Sequence, residues 1–171
     1  MGYSAYTAFP DKPPSTPTIS TAAMRDQVFI SYSHKDKKLF EEFKTMLAPA
    51  LRAGVMNVWD DTRIQPGANW KEEIQKALAS AKVAVLLVSP AFLASDFIAN
   101  NELPLLLKAA QEDGATIFWI YLSSCLYEHT EIANFQAAHT PLKPLDLLGK
   151  PERQAVLSPV CGKLIHIAAN P

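Results

Sequence analysis

A chain of 171 residues, 49% of them hydrophobic, can bury the core of one domain and is short for two. Its 16 basic and 17 acidic residues leave a formal net charge of -1, which excludes the basic footprint of a nucleic-acid binder. Two cysteines, Cys125 and Cys161, are too few for a disulfide framework and lack zinc-site spacing, and no apolar run approaches the roughly 20 residues of a membrane-spanning helix.

The first residues show no secretory h-region, and Tyr6 stands where a myristoylation signal would have Ser or Thr, so the expectation is a soluble, cytoplasmic domain with reduced thiols. Residues 1–25 carry Pro10, Pro13, Pro14 and Pro17 without helical or strand periodicity and read as a flexible leader, with the folded domain over 26–171.

Val28-Phe29-Ile30 is the first strand, and Ser31-Tyr32-Ser33-His34 follows as a polar turn. From Asp36 a helix repeats Leu39, Phe40, Phe43, Met46, Leu47, Ala50 and Leu51 on one face. Pro49 should kink or end it early, and Gly54 terminates it. Val55 to Trp59 reads as a second strand, and Asp60 to Gly67 as a charged, turn-rich loop. Asn69 and Glu72 are spaced as a helix N-cap and its reciprocal partner, so a helix begins near Trp70 and buries Ile74, Ala77 and Leu78.

Lys82 to Val88 is a third strand with almost no polar relief, short enough to be buried on both faces. A helix from a cap at Ser95 to about Gln111 follows, with Phe97, Leu103, Leu106, Leu107 and Ala110 inward. Pro104 cannot donate to the carbonyl of Asn100. That marks either an irregular helix start or a kink that aims Glu102.

Gly114 ends this helix, and Thr116 to Leu122 is a fourth strand. Ser123 to Asn134 is loop or short helix, and Phe135 to His139 a short fifth strand. A last amphipathic helix uses Val156, Val160, Leu164 and Ile167, bent or broken by Pro159 and Gly162. Strands alternating with helices predict an α/β fold whose parallel sheet is covered on both faces.

Such a sheet binds ligands beyond the carboxyl ends of its strands, and Glu102, on the helix after a central strand, lies near that rim. The chain has no phosphate-cradling Gly-x-x-x-x-Gly-Lys and no Gly-x-Gly-x-x-Gly after its first strand. A phosphoacceptor domain would carry Asp at the end of the third strand, where Ser89 stands. Trp59 and Trp70 read as packing residues, and His34 either as a ligand contact or as polar surface beside a turn.

The ordered set Phe29-Ile30-Ser31-Tyr32-Ser33 with Asp36, Trp59-Asp60-Asp61 with Ile64-Gln65-Pro66-Gly67 and Trp70, Leu87-Val88-Ser89 with Ser95-Asp96-Phe97, and Glu102-Leu103 resembles the Toll/interleukin-1 receptor (TIR) domain family, in particular its bacterial members. The resemblance runs from about Asp26 to the C-terminus. It implies a flavodoxin-like, five-stranded parallel sheet in the order 2-1-3-4-5, and cleavage of NAD+ at the nicotinamide–ribose bond.

It further implies that Glu102 is the catalytic residue and that Tyr32, Ser33, Asp60, Asp61 and Arg63 line the substrate pocket; Arg63 itself reads either as a phosphate ligand or as an exposed loop cation. Many active members stack a Trp on the nicotinamide one turn before the glutamate. Here Ile98 occupies that place, and Phe97 or Phe92 is left to supply an aromatic face. NAD+ is consumed as substrate, giving ADP-ribose or a cyclic isomer, so neither a resident cofactor nor a metal is expected. Self-association through the loop Asp60 to Asn69 is implied as the activating event, in bacterial antiviral defence, with a sensor domain or subunit as a possible partner and no nucleic acid or membrane. The rival expectation is a TIR module that only scaffolds other TIR domains.

Overall fold

The computed structural model describes residues 26–140 and 143–170, so the leader expected over 1–25 lies outside the described residues. Four strands, β1 (Gln27–Ser31), β2 (Asn57–Trp59), β3 (Ala81–Val88) and β4 (Thr116–Tyr121), form one parallel sheet in the order β2-β1-β3-β4. Parallel neighbours need crossovers, and helices supply them. These are α1 (Lys37–Arg52), α2 (Trp70–Ala79) and the pair α3 (Pro90–Ala94) and α4 (Leu103–Glu112), with α5 (Lys150–Ala169) following β4. Among the described residues no helix is long and apolar enough to cross a membrane.

Alternation along the strands divides the core in two. Val83, Val85 and Leu87 join Val28 and Ile30 against Phe40, Phe43 and Leu47 of α1 and Leu157, Val160 and Leu164 of α5. Ala84, Leu86 and Val88 join Phe29 against Ile74 and Leu78 of α2 and Leu106 of α4. Each fully buried Val or Leu contributes about 1.5–3 kcal/mol, which is why β3, packed on both faces, has so little polar relief.

This is the flavodoxin-like arrangement that the sequence implies, with one strand fewer. The fifth strand expected over Phe135 to His139 is reduced to a single parallel bridge, Ala137 beside Trp119, made by the Ala138 N–H on the Trp119 carbonyl at 2.8 Å. The next amide along that edge, Tyr121 N–H, donates instead to the His139 imidazole at 3.1 Å. A side chain satisfies the donor that further strand pairing would have used.

The prolines act differently from expectation too. Both α1 and α5 run unbroken, over 16 and 20 residues. Pro49 in α1, and Pro159 and Gly162 in α5, all lie on the exposed side, away from the packed stripes. A missing hydrogen bond there leaves its carbonyl on the solvent side, and the buried stripe holds the helix together. Gly54 and Gly114 close α1 and α4 with φ of 69° and 73°, the left-handed geometry that a Cβ disfavours.

Candidate functional site

Beyond the carboxyl end of β1 lies a cleft of about 510 Å³, within the range of small-molecule pockets. Its deepest charged group is Glu102, only 6% exposed. Glu102 does not sit on a plain α-helix. It ends a π-helical turn over Ile98–Glu102, in which the Leu103 N–H reaches back five residues to the Ile98 carbonyl.

The sequence dictates that turn. Ser95 Oγ accepts from the Ile98 N–H at 3.3 Å and starts it. Pro104, just past its end, has no N–H with which to hold the ordinary α register at Asn100. Asn101 Nδ2 donates to the Phe97 carbonyl at 3.2 Å, satisfying an acceptor inside the widened turn. Both alternatives stated for Pro104 therefore meet in one feature. The helix start is irregular, and that irregularity points the carboxylate toward β1.

There the Ser31 hydroxyl donates to Glu102 Oε2. Ser31 ends β1 on the same face as Phe29, two residues earlier, so strand alternation delivers it to the α2/α4 layer. Burial pushes the Glu102 carboxyl up to about 7, the nearby Asp61 charge adds to that rise, and the Ser31 hydrogen bond and His34 oppose it. A carboxylate held there titrates near neutrality and can exchange a proton with a bound ligand.

Tyr32, Ser33, His34 and Lys35 form the wall on the β1 side. Tyr32 stacks on Phe40 of α1, with ring centroids 3.8 Å apart, and its phenol is pushed above its ordinary range by burial and by the Asp61 carboxylate. Asp61 stands in the turn after β2, in contact with the His34 imidazole, while its other oxygen, Oδ1, is buried without a hydrogen-bond partner among the described residues. Ile64, Trp70 and Ile74 close the side opposite, and Phe97 and Ile98 the roof.

Of the residues expected at the pocket, Glu102, Tyr32, Ser33, Asp61, Phe97 and Ile98 are brought together, and three are not. Asp60 is fully buried and turned inward, taking the Thr62 N–H at 3.0 Å, the Thr62 hydroxyl and the Lys44 ammonium at 2.9 Å. Arg63 is drawn to the far side of its turn by Asn57 Oδ1, 3.4 Å away, and does not reach the cleft. Phe92, 1% exposed, packs in the α2/α4 core with its N–H on Ser89 Oγ. Ser89 also donates to the Asp36 carboxylate, so the position where a phosphoacceptor Asp would stand is a structural tie between β3 and the start of α1.

Sequence reasoning missed Ser31, Lys35, Ile64, Ile74 and Ser95 as lining or supporting residues. It also assigned Trp70 to packing, although this ring is 41% exposed and faces the cleft. For Ser31 the signal was available in its two-residue spacing from Phe29. For Trp70 it was the position at the first turn of α2, where side chains project beyond the sheet edge. Trp59, by contrast, is a packing residue, stacked on Phe29 with centroids 5.1 Å apart.

A family model described as the TIR domain matches residues 28–157. An uncharacterized protein of Sinorhizobium fredii, y4lF, is 30% identical over 118 residues, which make up 69% of this chain and 36% of that protein. The NAD(+) hydrolase PdTIR of Paracoccus denitrificans is 33% identical over 90 residues, or 50% of this chain and 29% of that protein. The chain thus spans about a third of the length of these curated relatives. Among solved structures, the TIR domain of the Toll-related receptor TRR-2 of Hydra magnipapillata is 20% identical, with a TM-score of 0.43, covering 64% of this chain and 82% of that one.

Proposed function

Because this chain belongs to the TIR domain family, we propose that its cleft is the active site of an NAD+ nucleosidase, with Glu102 as the catalytic carboxylate. The observation that carries this reading is a single buried acid, tethered to Ser31, in a cleft whose remaining walls are largely apolar and aromatic. A relative of 33% identity is named an NAD(+) hydrolase, which supports the same reaction class.

Nicotinamide leaves NAD+ as a neutral molecule. The bond between its ring nitrogen and ribose C1′ breaks with both electrons going to the ring, so no general acid is needed. The ribose passes through an oxocarbenium-like state of the kind met in glycoside hydrolysis. An ionised Glu102 stabilises that developing cation and accepts hydrogen bonds from the ribose hydroxyls. Water then attacks C1′ and loses its proton, giving ADP-ribose, or an adenine nitrogen attacks and gives a cyclic isomer. A carboxylate titrating at about 7 is suited to taking that proton.

Activation by self-association completes the reading. The loop after β2 supplies Asp61 and Ile64 to the cleft and leads into Trp70, so a second copy packed on Asp60 to Asn69 acts on the pocket wall itself. The setting proposed is bacterial immune defence, which follows from the family resemblance.

The test is nicotinamide release from NAD+ by concentrated protein, followed by chromatography, for the wild type and Glu102→Ala. Release by the wild type alone is the expected result. Equal release by both proteins removes Glu102 as the catalyst, and release by neither leaves the chain as an interaction module.

A further inference from the structure

Lys44, on α1, lines no part of the cleft, yet its ammonium begins two chains of contact that lead there. The first passes through Asp60. Lys44 Nζ donates to Asp60 Oδ2 at 2.9 Å, while Asp60 Oδ1 takes the Thr62 N–H at 3.0 Å and so caps the tight turn Asp61–Arg63. That turn carries Asp61 into the cleft. The second passes through Phe40. The same ammonium stands 5.5 Å from the centroid of the Phe40 ring, and Phe40 stacks on Tyr32, with centroids 3.8 Å apart and planes 7° from parallel.

Tyr32 and Asp61 belong to different walls of the cleft, one following β1 and the other β2. We propose that Lys44 is a positioning residue for this cleft: one ammonium on the outside of the fold sets the spacing between the Tyr32 wall and the Asp61 wall. This inference rests on the reading of the cleft as an active site and names what holds its two walls in register.

The energetics favour a fixed tether over a loose surface pair. An exposed ion pair contributes little, because two long side chains give up their freedom to make it. Here one partner, Asp60, is 0% exposed and already immobile, and the Lys44 side chain is itself only 33% exposed. A carboxylate that deep keeps its charge only while a cation and hydrogen bonds answer it, so the ammonium cannot swing away without stranding it. The attraction of the cation to the Phe40 ring holds the same head group against the second wall.

Glu102 is the reporter. Its carboxyl, pushed up to about 7, stands in the cleft among Asp61, His34, Tyr32 and Lys35; burial raises it most, the Asp61 charge adds to the rise, and His34 opposes it. If Lys44 holds Asp61 in place, Lys44→Met should lower the Glu102 titration midpoint, as Asp61→Asn does. The double variant Lys44→Met/Asp61→Asn should lower it no further, since both changes remove one effect. The midpoint is read by NMR of carboxyl-labelled glutamate, with the Glu102 signal identified by its absence from Glu102→Gln. Lys44→Arg keeps a cation and a donor and should restore the wild-type midpoint. Lys38→Met, at an exposed lysine of the same helix, should leave it unmoved.

Nicotinamide release gives the second readout. In Lys44→Met, kcat should fall about tenfold at an unchanged folded fraction with KM little altered, short of the hundredfold expected of a full ångström of displacement at a reacting centre. Should the stranded Asp60 charge unfold that variant, Lys44→Met/Asp60→Asn removes the charge together with the tether and takes its place. A midpoint that Lys44→Met leaves where it was, shifts that add in the double variant, or a rate loss no greater than the lost folded fraction each overturn the tether. If the midpoints move as described but the wild type releases no nicotinamide, the tether stands and the cleavage reading fails.

Discussion

Ser31 and Glu102, 71 residues apart in sequence, are joined by a buried hydrogen bond from hydroxyl to carboxylate across the end of β1. That bond opposes the desolvation that pushes the carboxyl up to about 7, and it therefore decides how much of Glu102 is ionised at neutral pH. Ser31→Ala should leave Glu102 more basic still. Nicotinamide release at pH 7 should fall about tenfold and recover as the pH is raised toward 9, displacing the acidic limb of the kcat/KM profile to higher pH. A loss that is the same at every pH would mean that Ser31 acts only on packing.

The same carboxyl makes folding stability depend on pH in a sense opposite to most acids. Its folded value of about 7 lies above the ordinary 4.5, so the folded protein binds this proton more tightly than the unfolded chain does. The contribution is fully present below about 4.5 and is lost as pH rises through 7, reaching roughly 3 kcal/mol by pH 9. Glu102→Gln keeps an acceptor for Ser31 and removes the charge. Urea unfolding should show the variant close to wild type at pH 5 and more stable than it at pH 9. Equal stability at both would show that the ionised carboxylate is well solvated.

Asp60 is the mirror case. Burial alone would raise its carboxyl, but the hydrogen bonds from Thr62 and Lys44 and the Lys44 charge outweigh it and hold it below its ordinary 3.8. Its stabilisation is present above 3.8 and lost as pH falls through the lower folded value. Asp60→Asn should cost about 2 kcal/mol at pH 7, with the gap closing in acid. Arg63→Ala, on the exposed side of the same turn, should change neither melting temperature nor nicotinamide release. A large rise in KM for Arg63→Ala would return that residue to the substrate site.

These cases show what a sequence can and cannot disclose. Strands β1, β3 and β4 were legible because apolar runs of that length have few other solutions, and the place of Glu102 near the sheet rim was legible because it follows a central strand, whereas its catalytic role rests on the family resemblance. The fate of Asp60 was not, since neighbouring acids in one turn look alike until the backbone turns one inward and one outward. The unbroken α5 was hidden for a similar reason: Pro159 and Gly162 weaken a helix locally, but both lie on its exposed side and the packed stripe of Leu157, Val160, Cys161 and Leu164 carries it through. The missing fifth strand depended on His139, whose half-buried imidazole is pushed below its ordinary pKa by desolvation and accepts from the Tyr121 N–H, a contact between segments 18 residues apart.

Self-association predicts a concentration dependence that a preformed site would not have. If a second copy on the loop Asp60 to Asn69 completes the pocket, nicotinamide release per molecule should climb with protein concentration, in step with the oligomer fraction seen by light scattering. Gln65→Asp/Ala68→Asp, at exposed and half-buried points of that loop outside the cleft, should flatten the dependence by opposing charge against charge. Constant specific activity over a hundredfold range of concentration would show that one copy suffices.

The π-helical turn gives a test of aim independent of charge. Its register survives because Pro104 offers no N–H to the Asn100 carbonyl, while the Leu103 N–H reaches Ile98. Pro104→Ala restores that donor and lets the segment relax to ordinary α spacing, which rotates Glu102 by a fraction of a turn relative to Ser31. Helix propensity favours Ala over Pro, so melting temperature should hold or rise. Nicotinamide release should nevertheless fall by about a hundredfold, the cost of a displacement near 1 Å at a reacting centre. Because stability and activity are expected to move apart, a variant that melts higher and cleaves as fast as wild type would show that the widened turn has no part in placing the carboxylate.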